Sequence, residues 1–404
     1  MDLNARLARW WTLAGGLPGV MVGALPLVLE IVSPQRAVLS VIIAVAYLAT
    51  SVAVARPRRI DLPVLIYAVA ALAFVGLSML RAEFLDPLNV AQRSYGLAKA
   101  TYFLAAVLPL SVAVAFLVSR VDDLKPAVFV FVVLGVIVAA ITVPLRDNEL
   151  FGVSRYTVQG NVMAVAGLLL AQFWLVRDFR WGAALILLCF VGVLITESRQ
   201  SVAAVIVGLA ATGIFWFGAD RSRTRTWVLP AVIFGAALAT LAVWALLVWE
   251  PWIPLPRGIK QPIHCNCVAG RFIDVLSNPG GRNVLLEQGW AQFISHPIFG
   301  AGLGAFVGHG PYPYPHNIEL EVAGELGLVG VAILLLPLVV GWVRLAAVGL
   351  MTASQAIASA LVLVLMYAVV ANLSGDLASQ RGLWVFGLAL LKLGWRRNPL
   401  EAPA

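Results

Sequence analysis

The chain has 404 residues, 61% of them hydrophobic and 12% charged, with a formal net charge of +8. A soluble domain carries roughly twice that charged fraction, so the composition excludes a water-soluble globular protein and predicts a polytopic membrane protein. Three cysteines (Cys189, Cys265 and Cys267) exclude a disulfide framework, and the basic balance belongs to membrane topology, with no nucleic-acid partner expected.

A helix needs about 20 apolar residues to cross a bilayer. Twelve such runs are read, at roughly 12–32, 37–55, 61–80, 96–118, 126–145, 157–176, 181–196, 200–218, 227–249, 322–346, 353–373 and 380–395. The segment from Met1 to Trp11 is not read as a cleavable signal, because the apolar run behind it lacks a small-residue cleavage site and continues into a full span. The seventh and eighth runs are divided only by Glu197-Ser198-Arg199-Gln200, a tight polar reversal. Lys and Arg concentrate on the cytoplasmic side of membrane proteins. With the N-terminus inside, the inner segments collect sixteen of the 28 basic residues and seven of the 20 acidic ones. Both termini are then cytoplasmic. Residues 1–249 hold the first nine spans, 250–321 form one large outer loop (periplasmic in a Gram-negative cell), 322–395 hold the last three spans, and 396–404 are a cytoplasmic tail.

The loop begins with the proline-rich Glu250-Pro251-Trp252-Ile253-Pro254-Leu255-Pro256, which is unsuited to helix. Residues 282–296 read as an amphipathic helix with Val284, Leu285, Trp290, Phe293 and Ile294 on its apolar side, ended by Pro297. Gly300-Ala301-Gly302-Leu303-Gly304 and Pro311-Tyr312-Pro313-Tyr314-Pro315 follow, and the second places His316 at the start of the next helix.

Near the outer membrane level lie Arg93, Lys99, Arg155, Arg199, Arg271, Arg282 and Arg381, from several different loops. Guanidinium forks match phosphate oxygens bidentately, so such a set suits an anionic ligand; each alone also suits interfacial anchoring. Arg199 has almost no loop in which to move. His316 has two readings: a base that accepts a hydroxyl proton, or a helix cap. Glu319, Glu321 and Glu325 could orient or neutralise it. Glu321 and Glu325 share a helical face at i, i+4, with Glu325 expected to be the deeper. Asp147-Asn148-Glu149 and Glu319-Leu320-Glu321 come nearest to a metal-holding D-x-D and read as solvated carboxylates. His264-Cys265-Asn266-Cys267 has no partner set for zinc. His296 reads as structural, and His309 carries no assignment. No P-loop, dinucleotide fingerprint or serine elbow is present, so no metal and no cofactor is expected.

His316-Asn317, Leu320, Glu325, Gly327 and Gly330 resemble the H-N-x-x-L-x-x-x-x-E-x-G-x-x-G signature of the O-antigen ligase and polymerase superfamily. Arg282 through Trp290 to His296-Pro297-Ile298-Phe299-Gly300-Ala301-Gly302 is similar to that family's arginine-led helix, and Thr196-Glu197-Ser198-Arg199 to its short S-R turn. The resemblance implies an all-α membrane fold of about twelve transmembrane helices, like that of the GT-C glycosyltransferases, with amphipathic helices in the periplasmic loop. It implies transfer of a glycan from undecaprenyl diphosphate (the lipid-linked O-antigen donor) to a sugar hydroxyl of lipid A–core, in the inner membrane with the site facing the periplasm, without metal and with inversion. His316 would be the base. Arg199 and Arg282, with Arg155 or Arg271, would hold the diphosphate. Asn317, Glu325 and Lys99 would support them. An O-antigen polymerase, a protein O-oligosaccharyltransferase and, from another class, a transporter are the rival readings. The product tells the ligase, the polymerase and the protein O-oligosaccharyltransferase apart; a transporter predicts charged or broken helices near the bilayer midplane.

Overall fold

The computed structural model describes residues 36–55, 61–145, 156–176, 181–196, 198–219, 280–306, 314–352, 354–373, 376–396 and 400. Regular structure among the described residues is entirely helical. The chain divides into two compact units, one made of residues 1–130 and 282–404 and the other of 131–281.

In the first unit, α1 (Arg36–Ala55), α2 (Leu62–Phe84) and α3 (Val90–Tyr102) lead through a π-helical turn, Phe103–Val107, into α4 (Leu108–Leu117). A 3-10 turn at Val121–Leu124 begins α5 (Lys125–Leu145), which carries the chain into the second unit. There α6 (Tyr156–Val176), α7 (Gly182–Ile195) and α8 (Arg199–Ala219) pack through small residues. A Cβ on Gly192 would lie 2.4 Å from Met163 Sδ, and one on Gly208 2.5 Å from Leu168 Cδ1. The first unit resumes with α9 (Gly280–Ser295), α10 (Ile318–Gly330), a second π-helical turn (Val331–Leu335), α11 (Leu336–Thr352), α12 (Gln355–Leu373) and α13 (Arg381–Gly394).

Among the described residues, five helical stretches are long and apolar enough to cross a membrane: Leu62–Phe84, Val90–Leu117, Val121–Pro144, Ile318–Thr352 and Ala356–Leu373. The seventh expected run forms only the 14-residue α7. The runs at 12–32 and 227–249 lie outside the described residues, as do Arg155, Asp147, Asn148, Glu149, His264, Cys265, Cys267, Arg271 and His309. The run expected at 96–118 starts earlier, at Val90, because Asn89 and Gln92 form a reciprocal capping box. That extension moves Lys99 from the beginning of a helix to its interior.

The run expected at 380–395 is α13, also 14 residues, and it is buried all round from Gly382 to Gly394. A helix apolar on every side belongs in a core. Around it, Trp342 Nε1 donates to Gly387 O (3.2 Å) and Trp384 packs edge-on against Phe103, ring centroids 5.4 Å apart. At its C-terminal end Lys392 Nζ meets Asp61 Oδ2 at 2.6 Å and donates to Ala115 O at 2.7 Å. Three elements are thereby tied at one end of the unit.

α10 is not a continuous helix. Gly327 has φ 70° and ψ −170°, a region essentially restricted to glycine. The amides beyond the break turn to the loop after α9: Leu328 N–H donates to Pro297 O (2.8 Å) and Val329 N–H to Ile298 O (3.1 Å). In return Ala301 N–H donates to Gly324 O (2.8 Å) and Gly302 N–H to Glu325 O (3.0 Å). The loop therefore supplies the hydrogen bonds that a straight helix would make internally.

Candidate functional site

The first half of α10 carries the site, and His316 stands just before it. Its φ is 58°, unusual for a residue with a side chain, a conformation that costs an L-residue about 1–2 kcal/mol. Its ring lies edge-on to Tyr314 with centroids 4.6 Å apart. Asn317 is the N-cap: its Oδ1 accepts from Leu320 N–H at 2.8 Å, satisfying an amide left over at the helix start. Asn317 Nδ2 donates to Asn372 Oδ1 (2.8 Å), and Asn372 Nδ2 to Glu319 Oε1 (2.8 Å). A hydrogen-bonded chain thus fastens the residue after His316 to the end of α12. Asn317 rather than His316 performs the capping.

One to two turns further on, Glu321 and Glu325 face α3. Both are buried, at 1% and 2% exposure, and Lys99 between them is at 4%. Lys99 Nζ bonds Glu321 Oε1 at 2.7 Å, makes a short bond to Glu325 Oε2, and lies 5.2 Å from the centre of the Tyr95 ring. Glu321 Oε2 accepts from Leu377 N–H (3.0 Å), and Tyr95 Oη donates to Asp376 Oδ2 (2.7 Å). Glu325 Oε1 is buried with no hydrogen-bond partner. Lys99 therefore ties α3 to the half-helix of α10, and the turn before α13 joins them through Glu321 and Tyr95.

This geometry corrects two expectations. Glu321 is not a solvated carboxylate, since it is fully enclosed and ion-paired. Glu325 is not appreciably deeper than Glu321. The apolar side read for residues 282–296 is divided: Leu285 and Gly289 of α9 are buried, Phe293 is half-buried, and Val284, Trp290 and Ile294 are exposed. Gly289 and Gly324 lie where α9 and α10 come close together. A Cβ on Gly289 would stand 3.3 Å from Pro315 Cβ, and one on Gly324 3.4 Å from Gly289 O. Polar Gln292, not a large apolar residue, reaches Gly324 O, at 3.4 Å.

Of the other expected residues, Arg282 lies in the first turn of α9. Arg199 opens α8 in the other unit, after a reversal in which Ser198 and Ser201 hydroxyls bond at 2.7 Å and Ser201 Oγ donates to Asn161 Oδ1. His296 is exposed at the end of α9. Sequence reasoning placed Lys99, Glu321 and Glu325 near the site without pairing them, and did not find Tyr95, Asn372 or Asp376. An uncompensated lysine inside an apolar run, and two carboxylates at i, i+4 opposite it, were the available signals.

Residues 183–335 match the family model of the O-antigen ligases. The match bears out the resemblance drawn from the motifs. No curated protein matches the chain. The matched stretch runs from α7 through the second π-helical turn. It contains Arg199, Arg271, Arg282, His316, Glu321, Glu325 and Gly327, and leaves Tyr95, Lys99, Asn372 and Asp376 outside it.

Proposed function

We propose that this chain is an O-antigen ligase that transfers a glycan from undecaprenyl diphosphate to a sugar hydroxyl of lipid A–core. It would act in the bacterial inner membrane with both termini cytoplasmic and the site facing the periplasm. His316 takes the proton of the acceptor hydroxyl as its oxygen attacks the anomeric carbon. The bond from that carbon to the phosphate oxygen breaks, and undecaprenyl diphosphate leaves with the electron pair. Attack opposite the leaving group inverts the centre. Arg199 and Arg282, with Arg155 or Arg271, neutralise the charge that develops on the diphosphate. No cofactor or metal takes part.

The observation that carries this reading is the mounting of His316. It stands partly exposed in a left-handed backbone, directly before an N-cap tied to α12 and one turn from the buried Lys99 cluster. Strained residues held by over-determined surroundings gather at functional sites. The family match over residues 183–335 supports the same reading.

Complementation of a ligase-null strain tests it. His316→Ala should abolish attachment of glycan to lipid A–core while the protein still accumulates in the membrane; attachment at the normal level would remove His316 from the chemistry. Arg199→Ala and Arg282→Ala should each lower donor use. Activity should persist in EDTA. Product on longer lipid-linked glycan, or on protein, would instead make the chain a polymerase or a protein glycosyltransferase.

A further inference from the structure

We infer that the second half of α9 and the turn after it, residues 288–302, form a re-entrant element within the outer half of the bilayer, packed against phospholipid acyl chains. The inference goes beyond the ligase reading and does not need it, because it rests on where these residues sit beside a membrane-spanning helix.

The depth follows from α2. Its 23 residues at 1.5 Å per residue measure about 34 Å, close to the thickness of a bilayer's apolar core. Phe74 is at its middle. A Cβ on Gly330 would lie 3.3 Å from Phe74 Cε1, and Tyr67 Oη donates to Leu334 O at 3.1 Å. Gly330 is therefore level with mid-helix. Leu328 and Val329, just above it, are the residues bonded to Pro297 O and Ile298 O. From above, Arg81 in the last turn of α2 donates to Phe299 O and Gly300 O, both at 2.7 Å. The turn lies between these two levels, below the end of a spanning helix.

The backbone there is treated as lipid requires. Irregular chain at membrane depth must have its polar groups satisfied by protein, since no water is at hand. The carbonyls of Pro297, Ile298, Phe299 and Gly300 each accept from a protein donor, and the amides of Gly300, Ala301 and Gly302 each donate to a carbonyl. The amides of Ile298 and Phe299 are the exceptions. Arg81 itself is tied to Asp86 Oδ1 at 2.8 Å.

The outward surface says what lies against it. From Gln288 to Phe299 there is no Asp, Glu, Lys or Arg. Trp290, Ile294, Ile298 and Phe299 are 55–59% exposed, while Gln288 and Gln292 turn inward; the exposed polar residues are Ser295, whose hydroxyl donates to Ala291 O at 2.8 Å, and His296 at the helix end. This is the reverse of a helix on a water-facing protein, where polar groups face out. Through Arg81 the turn adjoins the exposed Leu77, Leu80 and Phe84 of α2, so the apolar surface is continuous with that of a spanning helix. Acyl chains, which already cover α2, are the occupant that this continuity selects.

The test uses the full chain in phospholipid vesicles, with the native cysteines replaced by alanine. Single cysteines at Ile294→Cys and Ile298→Cys are labelled with an environment-sensitive fluorophore. Ile66→Cys on the lipid face of α2 and Lys125→Cys at an exposed helix start are the references. Lipids carrying a nitroxide on the acyl chain should quench the label at 298 as strongly as that at 66, and iodide should quench it as weakly. Iodide quenching equal to that at 125 would overturn the inference. So would shielding from both quenchers, which a second copy or a protein partner would produce. The unmodified protein gives a second measurement: an acyl-chain diazirine phospholipid should leave photoadducts between residues 288 and 299, and their absence beside normal labelling of α2 would overturn it. Neither readout involves transfer, so failure here and failure of His316 as base are separate results.

Discussion

Two buried lysines hold the two ends of the first unit, and they are held differently. Lys392 meets one carboxylate, Asp61, and one carbonyl, Ala115 O; Asp61 is a quarter exposed and has Arg396 3.6 Å away as a second cation. Lys99 meets two carboxylates from the same half-helix, both enclosed, and one oxygen of Glu325 is left without a donor. A tie between helices needs one carboxylate. A second buried one adds a desolvation cost. The end with the surplus carboxylate carries His316, and the end with the surplus cation carries only helix termini. Stability alone explains Lys392, while the Lys99 cluster is built beyond what stability needs.

The sharpest way to break this contrast is Lys99→Met, which strands two buried carboxylates. It should destabilise the protein by about 3–5 kcal/mol, read as a fall in thermal unfolding temperature in detergent. Adding Glu325→Gln should recover part of that loss, and the double-mutant cycle would give their coupling. Gly327→Ala comes next. Its Cβ would lie 2.2 Å from Ile298 O at a φ of 70°, so the backbone alone should cost about 1–3 kcal/mol, with transfer falling too as the half-helix shifts. Lys392→Met should cost about 1–2 kcal/mol, because Asp61 keeps water and Arg396, and transfer by the surviving protein should stay at the native rate. The smallest change is Glu325→Gln alone. It gives the Lys99 cluster the one-carboxylate makeup of the other end, and stability should move by under about 1 kcal/mol. Transfer should nevertheless drop; an unchanged rate would make the surplus carboxylate merely structural.

Helices were legible in the sequence wherever an apolar run was long, because lipid imposes the same demand along the whole run. Ten of the twelve expected runs contain a described helix. What local pattern does not carry is pairing. Lys99 stands 222 and 226 residues from its two carboxylates, so the shared face of Glu321 and Glu325 is legible locally but its pairing with Lys99 is not. The facing of α9 is likewise absent from its own pattern: Leu285 turns inward while Val284, Trp290 and Ile294 are exposed, and the atoms nearest Gly289 belong to Pro315 and Leu320. Gly327 was legible as part of a motif. Its physical purpose, a break that hands four hydrogen bonds to another loop, depends on a partner 25 to 30 residues earlier in the chain.

That exchange also makes the break observable in solution. In an unbroken helix the amide protons of Leu328 and Val329 would be protected by α10 itself. Here their acceptors are Pro297 and Ile298, so their hydrogen–deuterium exchange measures how firmly the turn is seated. Two adjacent amides thus act as an isotopic gauge of the loop, and peptides covering 326–330 would report its detachment even while the rest of α10 stays protected.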